Sequence, residues 1–86
     1  MRILIMSMSI LIFMYYILMK NFALILKELR TDRKINQTEL AIELKVSQSM
    51  IARWEKGECE PKASNIIAIA DYFNVTTDYL LGRSDY

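Results

Sequence analysis

The sequence predicts an all-α protein: a compact five-helix domain preceded by an extra apolar segment at the N-terminus. Three observations predict this class. The chain has 86 residues, enough for one small domain with a thin margin of buried surface. Apolar residues recur at three- and four-residue spacing, the period of an α-helix, in successive segments. Residues that cap helices, namely Asn36, Ser47 and Thr76, stand directly before three of those segments.

The first nineteen residues form an almost continuous apolar segment. Membrane-spanning helices need roughly 17–25 apolar residues, so an anchor is one interpretation, and the basic residues that follow would keep the domain in the cytoplasm. A secretory signal peptide is rejected because no small-residue cleavage site follows. We favour a mis-assigned start, because methionine is concentrated here and the stretch that begins with Met19 looks like an ordinary start. We therefore divide the chain into residues 1–19, helical if translated, and a domain of residues 20–86.

Helix 1 is predicted over Phe22–Arg33. Phe22, Leu26 and Leu29 lie on one face at helical spacing, so this face belongs in the core. Ile35, in the connector that follows, is expected to cover the edge of the core.

The stretch Gln37–Lys56 predicts two helices joined by a tight turn. Asn36 caps the first helix, and Glu39, three residues on, can complete a capping box. Ser47 caps the second helix. Ala41 is small enough to let the two helices cross closely. The residues expected to face inward are Leu40, Ala41, Leu44, Val46, Ile51, Trp54 and Glu55.

Two further helices are predicted after the loop that begins at Gly57. Helix 4 covers Ala63–Phe73, where apolar residues again form one stripe. Helix 5 covers Thr77–Leu81, with Thr76 as its cap and Gly82 as its stop.

The outward face of the second motif helix carries Gln48, Ser49, Ala52, Arg53 and Lys56. Arginine pairs with guanine, glutamine pairs with adenine, and serine contacts either base, all in the major groove. This pattern favours a helix-turn-helix whose second helix reads bases. A plain helical hairpin with a polar face explains the two-helix pattern equally well, so both interpretations stay open here.

The composition disfavours enzymes and metal sites. The chain has one cysteine, Cys59, and no histidine, so it contains neither a disulfide nor the usual zinc ligands. A Ser/His/Asp or Cys/His catalytic set cannot be assembled. We expect a non-enzyme with no cofactor and no metal.

The formal net charge is only +1, which is low for a protein that binds nucleic acid. The distribution of charge is more informative than its sum. The basic residues cluster before and within the motif, whereas several acidic residues lie toward the C-terminus. This asymmetry is compatible with one basic face on the domain. The basic residues that would form it are Lys27, Arg30, Arg33, Lys34, Arg53, Lys56 and Lys62.

Five motifs occur in a fixed order along residues 22–85. They are FALILKELR (Phe22–Arg30), NQTELA (Asn36–Ala41), VSQSMIARWEKG (Val46–Gly57), EP (Glu60–Pro61) and IADYFNVTTDYLLGRSD (Ile69–Asp85). This part of the chain resembles the phage-repressor and Cro-like helix-turn-helix family, the XRE-type regulators. The resemblance implies a lambda-repressor-like fold, sequence-specific binding of double-stranded DNA, and regulation of transcription, as a repressor that occludes polymerase.

The resemblance also implies roles for individual residues. Gln48, Ser49 and Arg53 would read bases, and Met50 would touch a thymine methyl group. The residues that would hold the DNA backbone are Gln37, Lys56 and Lys62. Arg30 would form an ion pair with Glu55 and so connect helix 1 to the second helix of the helix-turn-helix. Lys45 stands where the family often has glycine, because the turn needs a positive φ; a lysine there costs about 1 kcal/mol.

A single domain makes few DNA contacts, so the resemblance implies a homodimer on a palindromic operator with half-sites about one helical turn apart. Some of Tyr79, Leu80, Leu81 and the tail to Tyr86 are expected at the dimer contact. The alternative is a protein-interaction module, such as an antitoxin-like or membrane-tethered adaptor, which the near-neutral charge favours. A membrane is a partner only if residues 1–19 are real.

Overall fold

The computed structural model describes residues 10–12 and 21–84. Residues 10–12 are helical, and the interpretations of residues 1–19 otherwise lie outside the described part of the chain. Within that part, no helix combines the length and apolar character needed to cross a bilayer.

The domain is all-helical between residues 21 and 84, as the sequence predicts. Helix α1 covers residues 21–32, one residue short of the predicted end. The remaining helices are α2 (Gln37–Leu44), α3 (Gln48–Lys56), α4 (Ala63–Phe73) and α5 (Thr77–Leu80). The predicted bounds of α4 are confirmed, and α5 ends one residue before its predicted end.

Three helices begin with a side chain that accepts a hydrogen bond from a free backbone amide. Asn36 accepts from the Glu39 amide at 2.8 Å, and the Glu39 carboxylate accepts from the Asn36 amide at 3.0 Å. Ser47 accepts from the amide of Met50 at 3.1 Å, and Thr76 caps α5 in the same way. Each cap satisfies an amide that the helix itself leaves unpaired, so the predicted starts are determined locally.

Helices α2, α3 and α4 end at residues with left-handed backbone. Lys45, Gly57 and Asn74 have φ of 58°, 73° and 55°. The positive φ predicted for Lys45 is therefore confirmed. A fourth residue in this region, Lys34 (φ 58°), lies just after α1 and was not expected from the sequence.

The core is built from one buried face of each helix. Phe22 of α1 meets Trp54 of α3 edge to face, with ring centroids 6.4 Å apart. Burying side chains of this kind contributes about 1.5–3 kcal/mol each. The other buried members of the cluster are Leu26, Leu40, Ala41, Ile51, Ile69, Ala70, Phe73 and Leu80. Ile35, Leu44 and Val46 are half-buried around it, as expected.

The packing of α2 against α3 determines which side of α3 faces outward. Ala41 is buried where the two helices meet, and the Val46 amide donates to the Ala41 carbonyl at 3.0 Å to close the turn. Because Ile51 and Trp54 are anchored in the core, the opposite side of α3 is left toward solvent.

Candidate nucleic-acid interface

The exposed side of α3 carries the polar residues expected to read bases. Gln48, Ser49 and Arg53 are exposed, and Ala52 between them is half-buried. All of them project from a helix whose other side holds Trp54 at 1% exposure. The face is therefore polar, accessible and fixed to a rigid support.

The start of α3 is organised by a short network of hydroxyl groups. Ser47 caps the helix, and its Oγ lies 3.1 Å from the Oγ of Ser49. This contact holds the Ser49 hydroxyl close to the helix start while leaving the residue exposed. A serine hydroxyl that shares one hydrogen bond can still donate or accept another.

Gln48 and Gln37, the first residues of α3 and α2, are joined directly. The Gln48 Nε2 donates to the Gln37 Oε1 at 2.7 Å. The Gln37 Nε2 in turn donates to the Glu55 Oε1 at 3.1 Å. Each glutamine therefore keeps one N–H unused in these contacts, and the exposed Gln48 also keeps its Oε1.

Arg30 and Glu55 form a paired, nearly buried contact between α1 and α3. The Arg30 Nε donates to the Glu55 Oε2 at 2.6 Å and Nη2 donates to Oε1 at 3.0 Å. The Arg30 Nη1 also donates to the Ile35 carbonyl at 2.9 Å. The side chains are 12% and 4% exposed. Donating hydrogen bonds to Glu55 raises the pKa of Arg30 above its ordinary value, whereas burial acts to lower it.

Met50 is half-buried at the edge of the exposed face. Its Sδ lies 3.9 Å from the thiol of Cys59, in the loop after α3. The side chain therefore packs partly against the loop, and its contact with a thymine methyl group stays a prediction.

Three cations remain exposed on or beside this surface. Arg53 and Lys56 lie in the last turn of α3, and Lys62 directly precedes α4. Their phosphate and base roles stay predictions.

Two other basic residues that the sequence placed in one basic cluster have structural partners instead. Arg30 forms an ion pair with Glu55. Arg33 lies 5.2 Å and 5.1 Å from the ring centroids of Tyr72 and Phe73 and donates to the Tyr72 carbonyl at 3.1 Å. The expected basic face is therefore smaller than the charge pattern suggested, because only packing shows which cations are engaged.

The hydrogen-bonded link from Glu55 through Gln37 to Gln48 was not predicted from the sequence. The predicted roles were separate: Glu55 in the ion pair, Gln37 at a phosphate and Gln48 at a base. The available signal was that both motif helices begin with glutamine, eleven residues apart.

Comparison with known proteins agrees with this geometry. The family model described as helix-turn-helix matches residues 26–80. The chain therefore belongs to the XRE-type helix-turn-helix family. No solved structure is a significant match to the chain.

Several curated proteins are similar to this chain. It is 39% identical over 60 residues to an HTH-type transcriptional activator, BcrR, of Enterococcus faecalis, covering 70% of this chain and 29% of the relative. It is 30% identical over 60 residues to the HTH-type transcriptional regulator ImmR of Bacillus subtilis, covering 70% and 47%. It is 36% identical over 52 residues to Repressor protein C2 of Salmonella phage P22, covering 60% and 24%. The matched segment spans less than half of each relative.

Proposed function

We propose that this chain binds double-stranded DNA sequence-specifically and regulates transcription, with α3 in the major groove. The observation that carries the proposal is the exposed polar face of α3, on which Gln48, Ser49 and Arg53 stand above a buried Trp54. Family membership supports the same conclusion. Glutamine, serine and arginine are side chains that match base edges, and a fixed helix is what lets them do so reproducibly.

The roles within this interface follow from position and chemistry. Gln48, Ser49 and Arg53 contact base edges, and Met50 contacts a thymine methyl group. Gln37 stands at the N-terminus of α2, where its remaining side-chain N–H and the free backbone amides hold a phosphate. Lys56 and Lys62 are further phosphate contacts, and such contacts carry no sequence information.

We propose a homodimer on a palindromic operator and repression by occlusion. The names of the similar proteins include an activator and a repressor, so they leave the direction of regulation to experiment. Leu80 is fully buried within the domain, so it is removed from the expected dimer contact. Tyr79 and Leu81 are half-buried and remain candidates for it. The protein would act in the cytoplasm, where its DNA lies.

Selection of bound sequences from random DNA, followed by a salt titration, tests the proposal. We expect an enriched motif with two-fold symmetry, and an affinity for mixed DNA that falls steeply as salt rises, because phosphate contacts release counterions. The double variant Gln48→Ala/Arg53→Ala should keep the binding to mixed DNA but lose the enriched motif. No enriched motif together with salt-insensitive binding would refute the proposal and favour the protein-interaction module.

A further inference from the structure

The carboxylate of Glu55 has two kinds of partner. Arg30 donates to both of its oxygens, at 2.6 Å and 3.0 Å, from α1. Gln37 donates to its Oε1, at 3.1 Å, from the start of α2. The Glu55 side chain is 4% exposed, so solvent does not substitute for either partner. The ion pair is thus connected to the glutamine that touches Gln48.

Arg30, Glu55, Gln37 and Gln48 form one hydrogen-bonded series. The chemistry of their side chains determines the direction of every hydrogen bond in it. A guanidinium only donates and a carboxylate only accepts, so Gln37 must turn its NH2 group toward Glu55. Its Oε1 then faces Gln48, which must turn its own NH2 group toward Gln37. Gln48 consequently presents its Oε1 and one N–H to the outside.

We propose that Glu55 is a positioning residue that orients the amide of Gln48 through Gln37 and thereby sets the purine preference of the site. The proposal rests on the proposed function of DNA binding. Adenine offers the acceptor N7 beside the donor N6, which matches one N–H beside an amide oxygen. Guanine offers the two acceptors N7 and O6, so its O6 would oppose the Gln48 Oε1. An oriented amide therefore prefers adenine, whereas an amide free to rotate accommodates either purine.

The test uses a pair of variants that both alter the ion pair but differ in their effect on the series. Glu55→Gln keeps the shape of the side chain but can present either an oxygen or an NH2 group to Gln37. The orientation of the Gln37 amide is then no longer fixed. Arg30→Lys keeps a cation beside the carboxylate and leaves Glu55 able only to accept. Both variants are expected to lose stability, so they are compared at a temperature where circular dichroism shows them folded.

The measured quantity is the ratio of Kd for guanine to Kd for adenine at a single operator position. That position is identified in the selected operator as the one at which Gln48→Ala loses discrimination. We expect about a tenfold preference for adenine in the unmodified chain, within the range of a bidentate contact. Glu55→Gln should reduce it to about twofold, whereas Arg30→Lys should leave it unchanged. Gln37→Met should reproduce the Glu55→Gln ratio, and combining the two should change it no further.

The outcomes separate this proposal from the proposed function. If Glu55→Gln weakens binding to both purines equally, Glu55 stabilises the fold only and the proposal is wrong, although DNA binding stands. If Arg30→Lys lowers the ratio as much as Glu55→Gln does, loss of the ion pair rather than amide orientation is responsible, and the proposal is again overturned. If random DNA yields no enriched motif at all, the proposed function itself fails.

Discussion

Replacing Arg30 with leucine removes one partner of the nearly buried ion pair and leaves the other in place. Glu55 loses both hydrogen bonds from Arg30, and the Ile35 carbonyl loses its donor. Removing one partner of a buried pair costs about 3–5 kcal/mol, because an uncompensated charge remains. Gln37 still donates to Glu55, and Arg30 is 12% exposed, so we expect the lower end, about 3 kcal/mol.

Thermal unfolding followed by circular dichroism measures this loss. In a domain of this size, each kcal/mol shifts the melting temperature by roughly 4–8 °C, so Arg30→Leu should lower it by roughly 12–24 °C. Lys27→Leu is the matched control: it removes a cation from an exposed position on the same helix. It should change the free energy of unfolding by no more than about 0.5 kcal/mol.

The double variant Arg30→Leu/Glu55→Leu shows whether the stranded charge causes the loss. Two apolar side chains leave no unpaired carboxylate, so most of the lost stability should return. An unchanged melting temperature in Arg30→Leu would refute the reasoning. A double variant as unstable as Arg30→Leu would assign the loss to packing rather than to charge.

Three further predictions concern the turns and the DNA contacts. Lys45→Gly should raise the free energy of unfolding in urea by about 1 kcal/mol, because it relieves a lysine at φ 58°; a loss would contradict this. Gly82→Ala should lower the melting temperature more than Gly57→Ala does. An added Cβ at residue 82 would lie 2.8 Å from the Asn21 Cβ at the start of α1, whereas one at residue 57 would meet nothing within 4 Å. Equal melting temperatures would argue against this prediction. Arg53→Ala should cost roughly 1–3 kcal/mol at one base, whereas Lys62→Ala should weaken all sequences alike and reduce the salt dependence; identical binding profiles would refute the two roles.

Helix starts were predictable because the groups that determine them are neighbours along the chain. Asn36, Ser47 and Thr76 each accept from an amide three residues on, so the interaction needs no distant partner. The left-handed end at Lys45 was also predictable, from the tight turn that the motif requires. Lys34 was not, because nothing in its local sequence distinguishes it from other lysines.

The charged residues show the limit of reading a sequence alone. Arg30, Arg33 and Arg53 are the same residue type in similar polar surroundings. Arg30 is engaged by Glu55, Arg33 lies over two aromatic rings of α4, and Arg53 is left exposed. Those partners lie 25 and 39 residues away along the chain, so counting charges could not separate the three arginines. The family resemblance pointed to the pairing of Arg30 with Glu55, whereas the partners of Arg33 were not predicted.

The order of the five helices, their caps and the outward position of Gln48, Ser49 and Arg53 were determined by the sequence itself. Periodicity and capping act over three or four residues, so they can be read directly along the chain. Only the tertiary structure brought Glu55, Gln37 and Gln48 into one hydrogen-bonded series. The physical reason is that a hydrogen bond requires atoms about 3 Å apart, and packing of α2 against α3 creates that proximity.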